Sequence, residues 1–140
     1  MSDGDWSLDP DAAAALHRML SSASCVLLPT HQNTDADGLG SALAMKHMLR
    51  AGGINATALI SDGLLPKSLT FLPGVEKVAI YGADPLPDYD LICMVDCSDR
   101  RRLDAFYSDN PSRVDGTVPI LNIDHHVTND NFGIINIVVP

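Results

Sequence analysis

The sequence predicts an α/β domain: a mainly parallel sheet flanked by helices, three layers deep. Three observations predict it. Apolar runs such as Cys25-Val26-Leu27-Leu28 and Leu91-Ile92-Cys93-Met94-Val95 have the length and bounding residues of buried strands. They alternate with helix-like segments at βαβ spacing. Three of the strands end in Asp and His: His31 to Asp37, Asp96, and Asp124 to His126. Parallel strands share one carboxyl edge, where ligands bind in open α/β sheets, so the three clusters are expected to meet there.

Asp9-Pro10-Asp11 announces the first helix, with a capping residue, proline at the first helical position and an acid in the first turn. It continues from Ala12 to Leu20 and stops in Ser21-Ser22-Ala23-Ser24. The first strand follows and runs into Thr30-His31-Gln32-Asn33-Thr34-Asp35-Ala36-Asp37-Gly38-Leu39-Gly40-Ser41. The next helix is read from about Gly40-Ser41 through Arg50, closed by Gly52-Gly53. Ala56 to Ile60 reads as a strand, Leu64 to Leu72 as a short helix and Val78 to Tyr81 as a brief strand. Gly82 to Asp90 is a loop. Leu91 to Val95 is a central strand, Ser98-Asp99 caps a helix from Arg100 to Tyr107, and Asn110 to Thr117 connects to a strand at Val118 to Ile123. Phe132 to Val139 holds a final strand. Neither internal repeats nor low-complexity tracts occur.

At 140 residues the chain has the size of one domain. A net charge of −9 argues against a general nucleic-acid-binding surface, yet leaves room for a small phosphorylated substrate if divalent cations reverse the local sign. Cys25, Cys93 and Cys97 are odd in number and form no zinc pattern, so they read as reduced thiols of a cytoplasmic protein. The acidic start, Met1 to Asp5, lacks the pattern of a signal peptide, and no apolar run approaches the ~20 residues that span a bilayer. A membrane partner is therefore not expected.

His31, Asp35, Asp37, Asp96 and His125 together offer three carboxylates and two imidazoles. Two carboxylates about 4 Å apart repel by roughly 4 kcal/mol at an effective dielectric near 20, so such a set calls for a cation. Oxygen-rich sets with some imidazole suit Mn²⁺ or Mg²⁺ better than Zn²⁺, and five ligands fit a pair of ions sharing one carboxylate, for which Asp96 is the natural bridge. Such a pair activates a water and clamps a phosphoryl group, which implies phosphoester hydrolysis. His126 is free to meet the substrate as donor or acid, while Asp124 is placed to orient an imidazole. Gly38 and Gly40 would allow close approach, and a helix start near Ser41 would attract phosphate.

These three clusters resemble the first three signature motifs of the DHH phosphoesterases, a superfamily of RecJ-like exonucleases, oligoribonucleases, cyclic-dinucleotide phosphodiesterases, exopolyphosphatases and family II pyrophosphatases. The resemblance runs from about the first strand to the end of the chain. It implies that His31, Asp35, Asp37, Asp96 and His125 hold two Mn²⁺ ions, with Mg²⁺ as the alternative, and that His126 contacts substrate. It also places Asn33 at a common polar position. Thr34 stands where relatives often carry proline. The family's fourth aspartate motif and its capping domain have no counterpart here, so residues 1–140 are expected to be the amino-terminal DHH domain with an incomplete metal site. Its substrate would be a short oligonucleotide or a cyclic dinucleotide, and exposed apolar surface would favour a homodimer.

Duller readings stand beside these. Asp96 could cap the following helix; Arg100-Arg101-Arg102 could grip phosphates but, at a helix start, reads rather as a solvated face paired with Asp99 or Asp104; and Met45, Met48 and Leu49 read as core. A non-catalytic module binding a nucleotide or partner in the same crevice is the alternative function. A dinucleotide-binding fold ranks last, because the turn after the first strand lacks the glycine triplet and is acidic where pyrophosphate would sit.

Overall fold

The computed structural model describes residues 7–140; Trp6 and the acidic stretch Met1 to Asp5 lie outside the described residues. Six strands form one sheet in the order β3-β2-β1-β4-β5-β6. They are β1 (Val26–Pro29), β2 (Ala56–Ile60), β3 (Ala79–Ile80), β4 (Leu91–Val95), β5 (Ile120–Asp124) and β6 (Ile135–Val138). Every pairing is parallel, with Val26 opposite both Ala56 and Leu91, Ile92 opposite Ile120, and Leu121 opposite Ile135. The α-helices among the described residues are α1 (Pro10–Ser22), α2 (Ala36–Ala51) and α3 (Asp104–Asp109).

Strand alternation sorts the core into two faces. Val26, Leu28, Leu91, Cys93 and Val95 pack against Leu20 of α1 and Ala42 and Leu49 of α2. Leu27, Ile92 and Met94 point the other way, onto Leu103, Phe106 and Val114. The parallel sheet is thus covered on both sides, as its continuous apolar strands require. The chain moves outward from β1 to β3, then returns to β4 on β1's other flank. A topological switch therefore falls between β1 and β4.

Local chemistry fixes several boundaries. Asp9 caps α1, accepting the Ala12 N–H at 3.1 Å, with Pro10 at the first helical position. Gly53, at φ 82°, supplies the left-handed residue after α2. Other expectations are corrected. α2 begins at Ala36, not near Gly40, because Asp35 caps it. The segment from Leu64 to Leu72 forms only a 3₁₀ turn, Lys67–Leu69. The helix expected from Arg100 to Tyr107 divides into a 3₁₀ turn, Arg100–Leu103, and α3, broken where Asp104 takes φ 48°. Residues 113–117 make a wide turn that leaves helical geometry at Gly116, φ 145°, within the connection expected there.

Asp90 ties the two central strands at their amino ends, its carboxylate accepting the Ser24 and Cys25 N–H groups at 2.9–3.0 Å. The Cys25 and Ser24 amides hold its carboxyl below the ordinary range, against a small effect of burial. A depressed folded-state pKa contributes stability that is present above the unfolded value and lost as pH falls through the folded one. Asp90→Asn is expected to lower the melting temperature at pH 7, the gap from wild type closing below about pH 4, where Asp90 protonates as well. Thermal scans from pH 3 to 7 read this directly.

Candidate metal centre

The loop after β1 delivers His31, which is 4% exposed and holds Nδ1 2.8 Å from the Gln32 carbonyl. A carbonyl only accepts, so Nδ1 carries a proton, and in the neutral ring Nε2 keeps its lone pair. That lone pair faces Asp35 Oδ1 and Asp96 Oδ2, each at 3.7 Å. Three candidate ligand atoms converge there, too far apart to hydrogen-bond one another. With the imidazole neutral, the two carboxylates repel each other and call for a cation among the three.

Gly38 makes room for the imidazole: a Cβ there would lie 2.9 Å from His31 Nε2 and 3.2 Å from Cδ2. The glycine therefore serves the protein's own histidine rather than an approaching substrate, and Gly40 is likewise inside α2. Asp35 Oδ1 accepts the Gly38 N–H at 2.8 Å. The free amide expected to attract phosphate is thus taken by a carboxylate. That N–H, with His31 beside it, holds the Asp35 carboxyl below its ordinary range despite some burial. Ser41 lies in the second turn of α2, its hydroxyl 3.5 Å from Asp37 Oδ1, and not at the helix start.

Asp96 follows β4 in the left-handed conformation, φ 57°, with its N–H on the Ile123 carbonyl at 3.0 Å. Few residues other than glycine adopt that conformation, Asp and Asn most readily. The bend turns a carboxylate 8% exposed into the topological switch. Its Oδ2 faces His31, and its Oδ1 lies 2.9 Å from His125 Nε2. The helix-cap role falls to Asp99, which accepts the Arg101 N–H at 2.8 Å. His125 Nε2 also lies 3.6 Å from Asp37 Oδ2. The bond to Asp96 lifts the His125 pKa above its ordinary 6.5. All five candidate ligands thus meet at one rim, with Asp96 the member common to both groupings able to hold an ion, His31-Asp35-Asp96 and Asp96-Asp124-His125-His126.

Asp124 ends β5 with its side chain wholly enclosed, Oδ1 2.6 Å from His126 Nδ1. The imidazole it orients is that of His126, whose Nε2 meets no partner among the described residues. Burial pushes Asp124 up, but hydrogen bonds from Asn129 and His126 outweigh it, and the carboxyl ends below its ordinary range. Asn129 is a residue the sequence reading missed. Its Nδ2 donates to Asp124 Oδ2 at 2.6 Å and to Asn122 Oδ1 at 2.7 Å, and the buried Asn122 donates to the Cys97 carbonyl at 3.0 Å. The signal available was the polar run Thr128-Asn129-Asp130-Asn131 directly after the third cluster.

Asn33 stands apart. It is exposed, takes φ 51° and gives its N–H to Asp62 Oδ2 at 2.8 Å. A groove of about 510 Å³ opens from the cluster, with Asp37, Asp96 and His125 at its polar end and Met45, Met48, Ile123 and Ile137 along its walls. Met48, read as core, is in fact 58% exposed there. Cys93 and Cys97 are enclosed, and burial pushes their thiols to about 12 and about 11, so neither offers a thiolate near neutral pH. The donor set is oxygen and imidazole, which fits a hard divalent ion.

The strand order is also that of dinucleotide-binding folds, but their glycine-rich turn is replaced here by His31 and Asp35. No helix among the described residues is long and apolar enough to cross a membrane. A model of the DHH family, N-terminal domain, matches residues 25–140. Over 123 residues the chain is 33% identical to the bifunctional oligoribonuclease and PAP phosphatase NrnA of Thermus thermophilus, a match covering 82% of this chain and 32% of that protein. The chain thus spans about a third of that relative's length. An exopolyphosphatase-related protein from Bacteroides fragilis superposes with a TM-score of 0.81 at 22% identity, covering 94% of this chain and 39% of its own, a likeness of fold.

Proposed function

The chain belongs to the DHH family of phosphoesterases, and from that membership we propose that it is the metal-binding domain of a hydrolase acting on short oligonucleotides or small nucleotides through the cluster around Asp96. The observation that carries the reading is the Nε2 lone pair of His31 set against two carboxylates at 3.7 Å. His31, Asp35 and Asp96 would hold one divalent ion, Mn²⁺ or Mg²⁺, and Asp96, Asp37 and His125 a second. Such ions, when bound, acidify a water and offset charge on a phosphoryl group.

The protein's own groups do the rest. Gln32 holds His31 as the Nδ1 tautomer, which leaves Nε2 free to ligate. Asp124 fixes the His126 ring and its Nδ1 proton, so that Nε2 can take up or deliver a proton at the leaving oxygen. Asn129 steadies Asp124 from the far side. The relative's oligoribonuclease and PAP phosphatase activities favour a nucleotide substrate over a cyclic dinucleotide.

Titration with Mn²⁺ across pH tests the centre. His125 must shed its proton to ligate, and Asp96 holds that proton beyond pH 6.5. Apparent Mn²⁺ affinity is therefore expected to rise with pH through the neutral range, by up to about tenfold per pH unit while one proton is released. Hydrolysis of a trinucleotide RNA or of PAP is expected only with the metal. Flat affinity across pH, or equal hydrolysis in excess chelator, would overturn the reading.

A further inference from the structure

The three consecutive arginines after β4 are not equivalent. Arg100 Nε meets Asp115 Oδ1 at 3.2 Å, and Arg101 grips Asp99 through both Nε and a terminal nitrogen. Arg102 has no carboxylate within ion-pair distance among the described residues. The side-chain neighbour of its guanidinium is His31 Nδ1 at 3.4 Å. That nitrogen already donates its proton to the Gln32 carbonyl at 2.8 Å, so two donors face each other and no hydrogen bond forms between them.

The backbone fixes Arg102 in this place. Its carbonyl accepts the Gln32 N–H at 2.6 Å, and the Gln32 carbonyl in turn takes the His31 proton. One peptide therefore sets both the ligating imidazole and the arginine beside it. In a chain of net charge −9, with four carboxylates within one site, a half-buried guanidinium would be expected to pair with one of them. Instead it is held at the rim with its planar fork of donors unspent, the geometry suited to two oxygens of a phosphate.

We propose that Arg102 is a substrate-binding residue, gripping a phosphate of the ligand on the His31 side of the centre. The inference rests on the metal-dependent phosphoesterase reading and adds a protein-borne cation to it. It also distinguishes ligands: a substrate with a second phosphate beside the one being cleaved gains from Arg102, whereas a simple phosphomonoester with an uncharged remainder gains less.

The test measures binding of inorganic phosphate and of PAP to the chain in saturating Mn²⁺, alongside Mn²⁺ affinity, for wild type, Arg102→Gln, Arg102→Lys and Arg101→Gln. Arg102→Gln is expected to weaken both ligands, PAP by roughly tenfold to a hundredfold, with Mn²⁺ affinity within about twofold of wild type. Arg102→Lys restores part of the loss, since it keeps the charge without the fork. Arg101→Gln changes neither ligand. Unaltered phosphate and PAP binding by Arg102→Gln, with Mn²⁺ binding intact, overturns the assignment and leaves the metal centre standing. Joint loss of Mn²⁺ and phosphate in Arg102→Gln and Arg102→Lys assigns Arg102 to supporting His31 and overturns it too. Failure of the wild type to bind Mn²⁺ removes both readings.

Discussion

Asp96→Asn is expected to abolish Mn²⁺-dependent stabilisation while leaving the metal-free fold almost unchanged. Asparagine is nearly isosteric and tolerates the left-handed backbone that Asp96 occupies at φ 57°. The substitution therefore removes charge without removing shape. A ligand present at about a hundred times its Kd stabilises the folded state by about 2.7 kcal/mol, which for a chain of this length raises the melting temperature by roughly 10 °C. Wild type should show that rise and Asp96→Asn should not. Because both ion-holding groupings include Asp96, the loss in metal affinity should exceed the roughly 10–100-fold seen when an outer partner of a ligand is removed. Thermal scans with and without Mn²⁺ decide it: an equal rise in the variant would show that the carboxylate takes no part.

Gly38→Ala is the sharper test of the geometry. In most helices this change stabilises by about 1 kcal/mol, because alanine is the better helix former. Here the new Cβ would stand 2.9 Å from His31 Nε2 and 3.4 Å from Asp35 Oδ1, so the imidazole must give way. His31 is buried and tied to Gln32, and can yield only by turning Nε2 away from Asp96. Mn²⁺ affinity is expected to fall by at least about 10–100-fold, with the metal-free melting temperature within a few degrees of wild type. Calorimetric titration reads the first quantity and a thermal scan the second. Normal affinity would mean that His31 does not ligate.

The sheet was legible because its signals are local. Leu91 to Val95 is five apolar residues ending in an acid, and the strand appears with those bounds. The convergence of His31, Asp96 and Asp124 followed from strand polarity alone. The start of α2 was hidden because two glycines and two acids read as a loop. The reason for Gly38 is contact with His31, seven residues away in the chain but adjacent in space. Asn129 escaped, and Arg102 could not be told from its two neighbours in a solvated face, for a related cause: the partners of each are brought close only by folding, Asn122 and Asp124 for one and His31 for the other. The split at Asp104 depends on a single backbone torsion that composition does not announce.

The order β3-β2-β1-β4-β5-β6 also bears on how the molecule fluctuates. The strands carrying His31, Asp96 and Asp124 are all interior, bordered on both sides. Partial openings begin at a sheet's margins, where a two-residue β3 and a half-buried β6 have least to lose. Fraying at either margin therefore leaves the three strand ends that carry His31, Asp96 and Asp124 in register with one another.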